Sequence, residues 1–190
     1  MLTVKKGGHR DLERYYGLLE IDFDRRELLP KLAIHRALSK GEQELLLFSD
    51  EESGLVVGCA LVCVRSLYGY VLLKYLAIMP WYREHNMGVE AMRLINRRYA
   101  DRQGILAELT VFDPEDTETL RRLRRFFARF GYVEVEADYR LGSAPVTLMV
   151  KPMKGTTELA PIAHRLIRDF YSRLLSPFTM EKMIDIKAKR

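Results

Sequence analysis

The stretch KYLAIMPWYREHNMGVEAM, Lys74 to Met92, decides how the chain reads. Tyr75–Leu76–Ala77–Ile78 is an apolar run of strand type that stops at Pro80. A charged turn follows, Arg83–Glu84–His85–Asn86–Met87–Gly88, and then Val89, Met92, Ile95 and Tyr99 return at helical spacing. Strand, short loop and helix in this order present backbone N–H groups and a positive helix end to an anion. Gly88 allows close approach to the backbone. Asn86 is the non-glycine type that best tolerates a left-handed turn. The competing reading is a solvated strand–helix turn.

Working outward, the pattern predicts an α/β chain. Before the loop stand three runs, Glu44–Ser49, Leu55–Val64 and Tyr70–Ile78, whose short connections predict antiparallel strands. Leu55–Val64 is apolar throughout with Gly58 at its middle, as in a strand buried on both faces. After the loop, a helix over Gly88–Ala100 leads to a strand over Ile105–Phe112, a crossover that predicts a parallel pair. A further helix, capped by Asp116 or Thr117, runs to Phe130 and closes at Gly131. A hairpin of Tyr132–Arg140 and Val146–Lys151 follows, turning at Leu141–Ala144.

At the start, Leu2–Lys5 reads as a strand and Asp11–Leu19 as a helix. A second helix, Arg25–Lys40, is kinked or broken at Pro30. At the end, Lys154–Gly155–Thr156 leads out of the sheet to an amphipathic helix over Leu159–Leu175, with Pro161 in its first turn. The basic tail Asp185–Arg190 is expected to fray. The division is a sheet domain over 1–153 and a C-terminal helical extension over 154–190 packed on it. That last helix would either cover the sheet or close a homodimer.

The 190 residues are 48% hydrophobic and 30% charged, which excludes a disordered chain. A formal charge of +5 favours anionic ligands. Cys59 and Cys63, four apart in one strand, are too distant for a disulfide and read as buried thiols. MLTVKKGGHR lacks an apolar signal core and no uncharged apolar run reaches 18 residues, so a cytoplasmic protein with no membrane partner is expected. His9, His35, His85 and His164 show no metal-ligand spacing, so no metal is expected.

Arg83-x-x-Asn86-x-Gly88, after a strand and before a helix, resembles the central signature of the GCN5-related N-acetyltransferase (GNAT) family, Arg/Gln-x-x-Gly-x-Gly/Ala. Phe126–Phe127–Ala128–Arg129–Phe130–Gly131–Tyr132 is similar to the family's aromatic pair before Gly-Phe at a helix end. The match covers Leu2 to Pro152. The resemblance implies a GNAT-like mixed, mostly antiparallel sheet flanked by helices, here with an extra C-terminal helix. It implies acetyl-CoA as cosubstrate and acetyl transfer to an amine of a small molecule or peptide. It assigns the pantetheine arm to the backbone of Leu76, Ala77 and Ile78, in a gap between that strand and Ile105–Phe112. It assigns the pyrophosphate to Arg83, His85, Asn86, Met87, Gly88 and Val89, with Phe127 beside the cofactor.

Glu108 lies in the apolar strand Leu106–Thr110 and resembles the family's catalytic base; the alternative is a carboxylate paired to a nearby Lys or Arg, or facing solvent. Phe127 stands where the family carries a tyrosine that protonates the departing thiolate, and phenylalanine has no proton to give. Tyr75 and Tyr139 are the other hydroxyls to consider. Lys74 stands near a position that is acidic in many relatives. A catalytically weak CoA-binding regulatory module is therefore the alternative function. Arg121, Arg122, Arg124, Arg125 and Arg129 fall on the outer side of an amphipathic helix, with one or two expected near the 3′-phosphate of CoA. They lack the interleaved aromatics of a nucleic-acid surface, so nucleic acid is not an expected partner.

Overall fold

The computed structural model of the chain describes residues 1–154 and 159–186. Strand β1 (Leu2–Gly7) is followed by helices α1 (His9–Asp22) and α2 (Lys31–Ser39). Strands β2 (Gln43–Asp50), β3 (Val56–Cys63) and β4 (Val71–Ile78) form an antiparallel meander with β1 at its edge. A 3-10 turn (Pro80–His85) and α3 (Met87–Arg98) cross over to β5 (Gly104–Thr110), which pairs parallel to β4. Then come α4 (Thr117–Ala128), β6 (Val133–Val135), β7 (Tyr139–Leu141) and β8 (Ala144–Pro152). The described chain ends with α5 (Ala163–Leu174), α6 (Pro177–Met183) and β9 (Ile184–Ile186). The sheet runs β1-β2-β3-β4-β5-β8-β7-β9, with β6 also on β8. It is mixed and mostly antiparallel, as expected.

The sheet divides two apolar cores. One holds side chains of α1, α2 and α5, and the other those of α3 and α4. Alternation along each strand feeds both: in β5, Leu106 faces the first core and Ile105, Ala107 and Leu109 the second. β4 breaks this rule once. Leu61 pairs with Tyr75 and Val62 with Leu73, so Lys74 is an extra residue on β4, a β-bulge. The bulge turns Lys74 to the α5 side, where Leu72 and Tyr75 also point.

The differences from the sequence expectations have local causes. Pro30 breaks the expected Arg25–Lys40 helix rather than kinking it: residues 25–27 form a turn, and only Lys31–Ser39 is helical, with Pro30 as its N-cap. The expected strand Tyr132–Arg140 is two short strands, both on β8, separated at Glu136–Asp138. The last helix starts at Ala163, so Pro161 precedes it. Asp185 and Ile186 do not fray but pair with β7. Gly155, Thr156 and residues 187–190 lie outside the described residues. Asp116, not Thr117, caps α4, its carboxylate accepting from Thr119 N–H at 3.0 Å. The apolar stripe of α5 is spent against the sheet: Ala163, Leu166, Ile167, Phe170 and Tyr171 are fully buried. It covers the sheet. Cys59 and Cys63 are buried free thiols.

Gly58 on β3 faces the end of β4. A Cβ there would lie 2.6 Å from the Ala77 carbonyl oxygen and 2.7 Å from Ile78 Cδ1. Gly58→Ala is therefore expected to push the end of β4 outward and to cost about 1–3 kcal/mol, read from the denaturant midpoint. The same variant should weaken acetyl-CoA binding, since Ala77 and Ile78 are proposed to hold the pantetheine arm.

Candidate active site

β4 and β5 pair only over Val71–Ile105, Leu72–Leu106 and Leu73–Ala107. Beyond the Lys74 bulge the strands part, and the gap opens a cavity of about 510 Å³. Leu76, Arg83, Glu108 and Phe127 all line it, so four of the expected site residues meet there. Ala77 and Ile78 continue β4 beyond it, bonded to β3 on their other side.

His85, Asn86, Met87, Gly88 and Val89 do not line the cavity; the start of α3 stands beside it, with Gly88 next to Ile78 at the end of β4 and to Phe126 of the cavity wall. Asn86 takes the left-handed conformation at φ 57°, and is the one non-glycine residue to do so among those described. Its side chain does not cap α3. The N–H groups of Met87 and Gly88 therefore have no intrahelical or capping partner, while Val89 N–H bonds the Asn86 carbonyl at 2.9 Å. A methyl group at Gly88 would meet only Ile78 at 3.9 Å and Phe126 at 4.0 Å. Packing inside the protein thus does not demand glycine there, and the space above it suits a phosphate. His85 is exposed. Arg83 is engaged within the protein, its Nε donating to the Ile78 carbonyl at 3.0 Å and its Nη2 to Asp22 at the end of α1. Asn86→Gly is expected to leave stability within about 0.5 kcal/mol, and Asn86→Val to cost about 1–2 kcal/mol for the left-handed strain, read by thermal melts.

The floor of the cavity is polar. Glu108 is not alone: Lys74 Nζ lies 2.7 Å from its Oε2, and both side chains are almost completely buried. Tyr171, from α5, donates to the same Oε2 at 2.7 Å and accepts from Lys74 Nζ at 2.7 Å, closing a triangle. Tyr139, from β7, donates to Oε1 at 2.7 Å. The pairing with a lysine that the sequence offered for Glu108 is observed, and Glu108 does not face solvent. Burial pushes both tyrosine hydroxyls well above their ordinary pKa, with the Glu108 charge acting in the same direction, so they stay protonated donors.

A second carboxylate, Glu27, lines the cavity from the α1–α2 turn. Burial raises its pKa, with the Lys74 charge opposing and the Glu108 charge assisting. Tyr75 holds this turn against the sheet. Its buried hydroxyl donates to the Glu27 carbonyl at 2.7 Å and accepts from Leu29 N–H at 2.8 Å. The hydroxyls of Tyr75 and Tyr139 are thus both committed to protein partners. Phe127 packs edge-on against Phe126 and Tyr132.

On α4, Arg121 and Arg125 pair with Glu118, and Arg124 pairs with Glu134. Arg122 lines the cavity. Among the described residues, no group of three or more His, Cys, Asp or Glu is arranged to hold a metal ion, and no helix is long and apolar enough to cross a membrane.

No protein-family model matches the sequence, and no curated protein matches it. Solved structures do. A GNAT-family acetyltransferase from Bacteroides thetaiotaomicron superposes with a TM-score of 0.71 at 15% identity, over 90% of this chain and 96% of that one. The chain has the GNAT fold. The ribosomal-protein-S18-alanine N-acetyltransferase of Escherichia coli superposes with a TM-score of 0.61 at 12% identity, over 83% of this chain and 97% of that one. The spermidine N-acetyltransferase of Vibrio cholerae gives 0.60 at 10% identity, over 80% and 94%. The GNAT-fold enzymes of known substrate thus include one acting on a protein alanine and one acting on a polyamine.

The sequence reading missed Glu27 and Tyr171. Glu27 is the last of four charged residues in Asp24–Glu27, and nothing distinguishes it there. Tyr171 reads only as part of an apolar stripe. Lys74 did leave a signal, as the one charge in Tyr70–Ile78.

Proposed function

We propose that the protein is an acyl-CoA-dependent N-acyltransferase that moves an acetyl group from acetyl-CoA to an amine of a small molecule or peptide. The observation that carries this reading is the parting of β4 from β5 after Leu73 and Ala107, with the uncapped start of α3 standing beside the end of β4. Parted strands leave backbone partners for an amide-bearing arm. The N–H groups of Met87 and Gly88 suit the pyrophosphate, with His85 and Val89 beside it and Arg122 within reach of a further phosphate. Phe127 forms an apolar wall for the acyl end.

Amide formation needs a neutral amine and a base to take its proton. Both oxygens of Glu108 already accept hydrogen bonds from Lys74 and two tyrosines, so in this reading Glu108 serves the reaction by fixing Lys74. Glu27 is the carboxylate that meets the incoming amine. It attracts the cationic amine, which gives up one proton to solvent, and then accepts the proton that the nitrogen sheds as the amide forms; burial favours its holding a proton. A cytoplasmic setting fits two buried reduced thiols.

Isothermal titration with acetyl-CoA, followed by thiol release against a panel of peptide and small-molecule amines, tests the reading. Saturable binding and amine-dependent thiol release are expected. No binding at millimolar acetyl-CoA would overturn it. Binding without release for any amine would favour a regulatory CoA-binding module, as the missing hydroxyl at Phe127 suggests.

A further inference from the structure

We infer that Lys74 is the proton donor to the departing thiolate, the role that Phe127 cannot fill; this rests on the acyltransferase reading. An ammonium has three N–H donors. Lys74 gives one to Glu108 Oε2 and one to Tyr171 Oη, both at 2.7 Å. The third has no protein acceptor among the described residues, and Lys74 lines the cavity. Glu108, by contrast, accepts from three donors. What this buried network offers a ligand is therefore an N–H of Lys74. The bulge places that group where β4 and β5 separate, level with the last paired residues Leu73 and Ala107. Phe127 lines the same space.

The step balances without a further reactant. The amine gives up one proton to solvent and reacts as the neutral form; its nitrogen forms a C–N bond to the thioester carbon, and the proton this nitrogen then sheds goes to Glu27. The C–S bond breaks as the Lys74 proton moves to sulfur. The proton held by Glu27 then returns to Lys74, which resets both groups. Tyr171 and Glu108 are positioning residues: they fix the Nζ atom and touch no reacting atom.

The test uses the full chain and single-turnover thiol release from bound acetyl-CoA with the best amine of the panel. Lys74→Arg keeps the charge and the hydrogen bonds but gives up no proton at neutral pH. It is expected to retain the acetyl-CoA dissociation constant within about threefold and to release thiol about 10²-fold more slowly. A second variant, Lys74→Met with Glu108→Leu, removes both buried charges together and avoids leaving one unpaired. It too should bind acetyl-CoA and be slowed to the same extent, whether or not the arginine fits. Tyr171→Phe should slow release less than either. Turnover within threefold of wild type in either Lys74 variant would overturn the inference. So would a parallel loss of affinity and rate, which marks a structural role. Wild-type protein that binds no acetyl-CoA would overturn the acyltransferase reading itself, before any variant is made.

Discussion

Glu27→Gln is expected to slow amide formation by about 10²-fold or more, while acetyl-CoA still binds. Glu27 faces Lys74 on β4 and Glu108 on β5 across the cavity, and its turn is fixed by the two bonds of the Tyr75 hydroxyl. Its carboxyl is shifted above the ordinary glutamate value of 4.5, chiefly by burial. As pH falls through the raised value the group takes up a proton and can no longer accept one from the amine. The rate should therefore fall on the acid side at a pH higher than an ordinary carboxylate would give, and that limb should vanish in the glutamine variant. The stability consequence has the opposite sense. A carboxyl whose pKa is raised by folding favours the folded state less as pH climbs from the unfolded value through the folded one. Glutamine removes that loss, so the variant should melt no lower than wild type at pH 8, and higher if the shift is large. Full activity in Glu27→Gln would remove this residue from the reaction.

A chain ended after Lys154 is expected to yield no cooperatively folded protein, a larger effect than lost activity alone. Leu166, Ile167, Phe170 and Tyr171 are fully buried and Leu174 nearly so, all in the core that α1 and α2 share. At about 1.5–3 kcal/mol per buried side chain, their loss approaches the whole stability of an ordinary domain, about 5–15 kcal/mol. The truncation also strips Tyr171 from the Lys74–Glu108 pair, leaving a buried pair with one hydrogen-bond partner fewer. A sharp thermal transition and a dispersed amide spectrum from the shortened chain would show that the extension is an appendage. Phe170→Ala is the milder probe of the same packing, with an expected cost of about 3–5 kcal/mol.

The sheet was legible because its signals are local. Apolar runs, glycine breaks and short connections identified β2 to β5, and the crossover through α3 set the parallel pairing of β4 with β5. The left-handed turn at Asn86 could be read from the residue type alone. The cavity floor could not. Glu108, Lys74, Tyr139 and Tyr171 come from four elements as far as 97 positions apart, and only tertiary packing makes them neighbours. The break at Pro30 was visible, but not that it would free Glu27 to face inward. The continuation past α5 was missed because α6 and β9 are short, and pairing with β7 rather than intrinsic propensity holds β9.

The bulge at Lys74 has a consequence for how this site can be gained or lost. Strand parity, not residue identity, decides which compartment a side chain enters. Deleting one residue from 72–74 would restore strict alternation and re-pair the strand without altering the sheet order. Such a chain would keep nearly every residue of this one, and yet a lysine left at its place beside Tyr75 would face α3 instead of Glu108. The difference between the proposed reactive centre and an inert strand is here a count of one.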